Sequence, residues 1–169
     1  DRAERILAEQ QWFSYTPSNE QIFSSGGSSG VRGVYVWDWE FAVSVTCLAW
    51  RIQAADERIR SSQQAPALLA VLAAGGPPHA STPLFDVPTT PEMTTVVISA
   101  GEPFAEVRSA VAAARPSHLV GYATVIGKLA RAALAGDLDI GPVRVSTNSE
   151  PLFDEDRLAI GQAWNAPPA

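Results

Sequence analysis

The chain is 169 residues long, carries a formal net charge of −6 and contains a single cysteine, Cys47. One domain with a true core is expected at this length, because a chain of this size buries about 68–70% of its unfolded surface. The acidic balance without a basic stripe argues against a nucleic-acid partner, no apolar run reaches the roughly 18 residues of a membrane helix, and one cysteine excludes an internal disulfide and fits a reducing compartment. The opening "DRAERILAEQ" is too charged for a signal peptide, so a soluble, cytoplasmic protein is expected.

In chain order, "DRAERILAEQQWF" spaces Ile6, Leu7 and Phe13 for a short amphipathic helix, which "SYTPSNEQ" breaks. "QIF" and "VYVW" are rich in β-favouring residues and read as strands. Between them, residues 24–33 hold four serines and four glycines. The segment "DWEFAVSVTCLAWRIQAADERIR" then reads as a helix, with Asp38 as its cap, Glu40 reinforcing the start, and Arg58 and Arg60 near its end. Trp37, Trp39 and Trp50 are expected to pack this helix, and Cys47 to be a buried packing residue on its apolar face. "APALLAVLAA" predicts a short buried strand, and "GGPPHASTPLFDVPTTPE" a Pro-rich loop.

From there strand and helix alternate. "TTVVISA", "HLVGY" and "VRVSTN" predict strands. "PFAEVRSAVAAA", "ATVIGKLARAALAG" with Gly136 as its stop, and "PLFDEDRLAIGQAW" predict helices. Repeated βα units imply an α/β fold, with a largely parallel sheet flanked by helices. Asp154, Glu155 and Asp156 open the last helix and complement its dipole. There is no internal repeat, and the closing "APPA" cannot be helical.

The Gly/Ser loop admits several readings. Its glycines let consecutive N–H groups turn toward one anion, its hydroxyls add donors, and Arg32 adds positive charge. It could equally be a solvated hairpin tip. A P-loop is excluded, because no lysine is present and a strand-like segment follows. Gly26-Gly27-Ser28-Ser29-Gly30 matches the Gly-x-Ser-x-Gly elbow of serine hydrolases, with Asp86 and His118 following in the expected order. The elbow needs a helix directly after the serine, where "VYVW" reads as strand. His118 is otherwise a structural histidine at a strand start. His79, in a Gly/Pro loop, stands between pocket and plain loop. Two distant histidines and one cysteine make no recognisable metal site.

"GGSSGVRGVYVWDWEFA" resembles the Ser/Thr/Gly-rich loop of the adenylate-forming (AMP-dependent synthetase/ligase) superfamily, in its phenylacetate–CoA ligase-like branch. Val31-Arg32-Gly33 stand where that family has Pro-Lys or Pro-Thr. "RPSHLVGYATVIGKLARAA" is similar to a family segment in which a strand leads into a helix beside the substrate pocket, with Ala123 in place of the usual proline. "VRVSTNSEPLFDEDRLAIGQAW" is similar to another, with Ser149 where glycine is common. "VLAAGGPPHAS" resembles, more loosely, a loop near the acyl site. The likeness runs from residue 17 to 166.

The resemblance implies a two-step reaction, in which a carboxylic acid and ATP give an acyl-adenylate and the acyl group then passes to a thiol. That thiol is coenzyme A or one on a carrier protein. It assigns Ser24, Ser25, Gly26, Gly27, Ser28, Ser29, Gly30 and Arg32 to the phosphates, Asn148, Ser149, Glu150 and Pro151 to the adenine, and His79, Gly121 and Tyr122 to the acyl pocket. It also implies Mg2+ held by a Tyr-Gly-x-Thr-Glu segment, and a lid domain with a catalytic lysine. Both are expected beyond Ala169, so the chain reads as an inactive central fragment of the large domain. The alternative to this ligase is a non-catalytic nucleotide- or acyl-binding module. An apolar sheet edge left by such a fragment would favour association into oligomers.

Overall fold

The computed structural model describes residues 2–9, 16, 18–24, 33–55, 67–75, 79, 93–166 and 168. It contains helix α1 (Arg2–Glu9), strands β1 (Glu20–Ser24) and β2 (Val34–Asp38), helix α2 (Trp39–Ala55), then β3 (Ala67–Ala73) and β4 (Met93–Ser99). Helix α3 (Phe104–Ala114), β5 (His118–Tyr122), α4 (Ala123–Leu134), β6 (Arg144–Asn148) and α5 (Asp154–Trp164) complete it.

The architecture is α/β. Strands β3 to β6 form a parallel sheet in the order β4-β3-β5-β6. The central strand β3, ALLAVLA, is a continuous apolar run that is almost wholly buried, as expected of a parallel strand covered on both faces, whereas the edge strands β4 and β6 carry polar residues and are mostly half-buried. Alternation sorts the side chains. Ala70, Leu72, Leu119 and Val145 face one way and pack with Val107 and Val111 of α3, Ile126 and Leu129 of α4, and Ile160 of α5. Leu69, Val71 and Ala73 face the other way, beside Met93, Val97 and Val120. Each fully buried Leu or Val of the first set contributes about 1.5–3 kcal/mol over an exposed one.

The helix ends have local causes. Asp38 precedes α2, and its carboxylate accepts the Phe41 N–H at 2.8 Å, as a capping aspartate should. α4 stops at Gly136, in the left-handed region at φ 83°. There the Gly136 N–H donates to Ala133 O and the Asp137 N–H to Ala132 O, which are the two bonds of a Schellman turn.

β1 and β2 form a separate antiparallel pair, with Ile22 opposite Val36 and Phe23 opposite Tyr35. β1 is buried, while β2 is largely exposed. The Trp37 ring lies tilted against Phe23, with centroids 4.6 Å apart, and edge-on to Phe41 of α2 at 5.2 Å, so it does pack the helix. Trp39, the first residue of α2, is about half exposed, and the Trp50 side chain lies outside the described residues.

Two expectations need correction. Cys47 is exposed, not buried. α2 is apolar on more than one side, and among its described residues Val43 and Leu48 are exposed together with the cysteine, while Phe41 is half exposed beside Trp37. The acidic start of α5 is also not uniform. Asp154 and Glu155 are exposed at the first turn, but Asp156 is buried and pairs with Arg131 of α4 at 2.9 Å. Gly127 makes this possible, because a Cβ there would run into the Asp156 carboxylate.

Candidate functional site

The four parallel strands end on one side of the sheet. The chain runs from β3 outward to β4, then returns past β3 to β5 and continues to β6. The strand order therefore reverses at β3. In open α/β sheets the crevice outside the carboxyl ends of the strands at such a reversal is where ligands bind.

A crevice of about 350 Å³ lies there, lined by Ala74, His79, Ala100, Gly101, Tyr122, Val125 and Glu150. Each strand contributes the residues just past its end: Ala74 follows β3, Ala100 and Gly101 follow β4, Tyr122 closes β5, and Glu150 follows β6. His79 and Tyr122, expected at an acyl pocket, and Glu150, expected beside adenine, thus share one cavity. Ala74, Ala100, Gly101 and Val125 were not singled out in the sequence. Their signal is position alone, at or directly after the end of a predicted strand, or in the first turn of the helix that follows it.

The remaining sequence-derived residues have different surroundings. Gly121 does not line the crevice. A Cβ there would stand 2.6 Å from both Leu72 Cβ and Leu72 O, so the glycine lets β5 lie against β3. Tyr122 pairs across the sheet with Asn148, which places the turn after β6 beside the start of α4. In that turn Ser149 adopts φ 64°. The left-handed region disfavours side chains and favours glycine, the residue common in the resembling family. Ser149 Oγ donates to Asn148 Oδ1 at 3.2 Å. Glu150 Oε2 accepts the Thr124 N–H at 3.0 Å and the Thr124 hydroxyl at 2.8 Å. Pro151 is exposed behind it.

Of the Gly/Ser loop the two ends are described, Ser24, buried at the end of β1, and Gly33, half-buried before β2. Ser25, Gly26, Gly27, Ser28, Ser29, Gly30 and Arg32 lie outside the described residues, as does Asp86. His118 sits at the opposite end of the sheet from the crevice. It is buried, and its Nδ1 is 2.9 Å from Ser117 Oγ. That hydroxyl also bonds the backbone of Leu68, accepting its N–H at 3.1 Å. His118 thus belongs to the sheet's amino-terminal edge.

Among the described residues no group of three or more His, Cys, Asp or Glu side chains is placed to hold a metal ion. No described helix is long and apolar enough to cross a membrane.

The chain matches 2-hydroxyisobutyryl-CoA ligase, in an open conformation with 2-HIB-AMP and CoA, at a TM-score of 0.69. The match covers 98% of this chain and 37% of that one at 14% identity. The fold is that of an adenylate-forming enzyme. The same ligase in its postadenylation state with R3-HIB-AMP matches at a TM-score of 0.62, 14% identity, 87% of this chain and 31% of that one. The A-PCP didomain of carboxylic acid reductase from Segniliparus rugosus, in complex with AMP, reaches only 0.45 at 15% identity, over 96% of this chain and 22% of that one. The chain spans about a third of the length of the ligase it matches. No family model and no curated protein sequence matches it.

Proposed function

We propose that residues 1–169 form one α/β unit, the central portion of the AMP-binding large domain of an ATP-dependent acyl-adenylate-forming ligase of the phenylacetate–CoA ligase-like kind. The observation that carries this reading is the crevice at the strand reversal. It brings His79 and Tyr122 together with Glu150, residues that the resemblance divides between acyl and adenine sides.

The chemistry of the walls favours a flat, uncharged group. Their polar members are an imidazole, a phenol and a carboxylate that already accepts two hydrogen bonds. No lysine or arginine lines the crevice among the described residues, so an anion would find little attraction in these walls. In this reading Tyr122 and the turn Asn148-Ser149-Glu150-Pro151 hold adenine, and His79 with Tyr122 bounds the acyl group. The Gly/Ser loop from Ser24 to Arg32 supplies the N–H and hydroxyl donors for the phosphates. Preorganised donors at the place where charge develops are the largest source of rate in such reactions.

In the proposed reaction a carboxylate oxygen of a small acid bonds to the α-phosphorus of ATP. The bond from that phosphorus to the bridging oxygen breaks, and pyrophosphate leaves. A thiol, of coenzyme A or of a carrier protein, then takes the acyl group and AMP is released. Mg2+ would offset phosphate charge, and none of these steps is assigned to a metal ligand among the described residues.

The test is carboxylic-acid-dependent exchange of labelled pyrophosphate into ATP by the protein that contains this chain. Exchange supports the ligase. Saturable ATP binding without exchange, across a broad panel of acids, replaces it with a non-catalytic nucleotide- or acyl-binding module. In either case Ser28→Ala together with Ser29→Ala should weaken ATP binding.

A further inference from the structure

Helix α4 begins without a cap of its own. Its N-cap is Tyr122, extended at φ −64° and ψ 130°, and no side-chain hydrogen bond closes its first turn from within. The first N–H groups of a helix have no partner inside it. Glu150, 26 residues on from Thr124, supplies one. Its Oε2 accepts both the N–H and the hydroxyl of Thr124, and its negative charge complements the positive end of the helix. The left-handed Ser149 and the pairing of Tyr122 with Asn148 bring this carboxylate to the helix start. One side chain thereby ties the turn after β6 to the junction of β5 and α4.

Both tied segments line the crevice, through Glu150 on one side and Tyr122 and Val125 on the other. Thr124 itself is not one of the lining residues. We propose that Glu150 is a positioning residue that sets the separation of Tyr122 from the turn Asn148–Pro151 by capping α4, so that the two walls meet a ligand as one unit. The inference rests on the crevice being a nucleotide site, as proposed above.

Isothermal titration of AMP into the full chain tests it, using Thr124→Val, Glu150→Ala, the double variant, Glu150→Gln and Thr124→Ser. Thr124→Val and Glu150→Ala should each weaken AMP by roughly 3- to 10-fold, within the about 2- to 30-fold by which residues outside a ligand contact modulate coupling. The double variant should be no weaker than the worse single one. Thr124→Ser and Glu150→Gln, which keep the hydroxyl and an acceptor oxygen, should restore most of the affinity. Wild-type affinity in Thr124→Val, or additive losses in the double variant, would overturn the proposal, even if the melting temperature falls.

If the wild-type chain does not bind AMP, the nucleotide reading fails and the tether is judged without ligand. Glu150→Ala should then speed hydrogen exchange at the Thr124 amide and shift the Tyr122 amide resonance. Unchanged exchange and an unchanged resonance would overturn the tether itself.

Discussion

The segment from β1 to α2 and the segment from β4 to α5 are similarly apolar, yet they bury their apolar residues differently. In the later segment α3, α4 and α5 all press one side of the sheet, and Val107, Val111, Ile126, Leu129 and Ile160 are almost fully enclosed. In the earlier one β1 buries Ile22 and Phe23, but β2 and α2 turn Tyr35, Val36, Trp39, Phe41 and Leu48 to solvent. Apolar content therefore does not by itself give burial. A helix with a narrow apolar stripe has one way to pack, whereas α2 is apolar around most of its circumference, and none of its described side chains is buried.

Stability variants test this contrast, beginning with the largest expected effect. Leu72→Ala removes a side chain that is 1% exposed under α3 and α4 and should lower the free energy of unfolding by about 2–5 kcal/mol. Leu48→Ala, at a residue 59% exposed on α2, should change it by less than about 0.5 kcal/mol. Similar losses at both sites, measured by denaturant titration, would break the comparison.

Asp156→Ala comes next. It leaves the Arg131 guanidinium, half exposed, without its 2.9 Å partner and opens space against Gly127, for an expected loss of about 1–3 kcal/mol. The same change combined with Gly127→Ala should be milder than Gly127→Ala alone, because the clash depends on the carboxylate. Asp38→Ala removes the α2 cap and should cost about 0.5–2 kcal/mol, read as lost helical signal in circular dichroism. Arg115→Ala should have a small effect too. Its ion pair with Asp139 at 3.5 Å is largely exposed on both sides and should be worth about 0–1 kcal/mol, falling further in high salt.

Much of this was legible in the sequence for local reasons. The short β-favouring runs around Leu72, Ile98, Leu119 and Val145, alternating with helical segments, read as strands of a parallel sheet, and they are. Asp38 and Gly136 act within a few residues of their own helices, and a one-dimensional reading captures them. What escaped depends on contacts between distant segments. The order β4-β3-β5-β6 follows from which strands pair, and nothing near β3 announces it. The Asp156–Arg131 pair looked like ordinary helix-start acidity until α5 was laid on α4. The Glu150–Thr124 bond was invisible for the same reason. A hint existed, since α4 begins after a tyrosine with no capping residue, which invites the question of what closes it. Gly121 is placed at the acyl pocket by the family resemblance of its segment, while the close approach of Leu72, which requires a glycine there, depends on a contact with a distant strand.

The central claim is that ligand recognition occurs at the carboxyl ends of the parallel strands. Amide chemical-shift mapping of the 169-residue chain during titration with AMP tests it most directly. The account predicts saturable shifts at Gly101, Tyr122, Thr124, Ser149 and Glu150, with those at Ser117 and His118, on the opposite edge of the sheet, much smaller. Shifts centred on Ser117 and His118, or no saturable shift around the crevice at millimolar AMP, would contradict it.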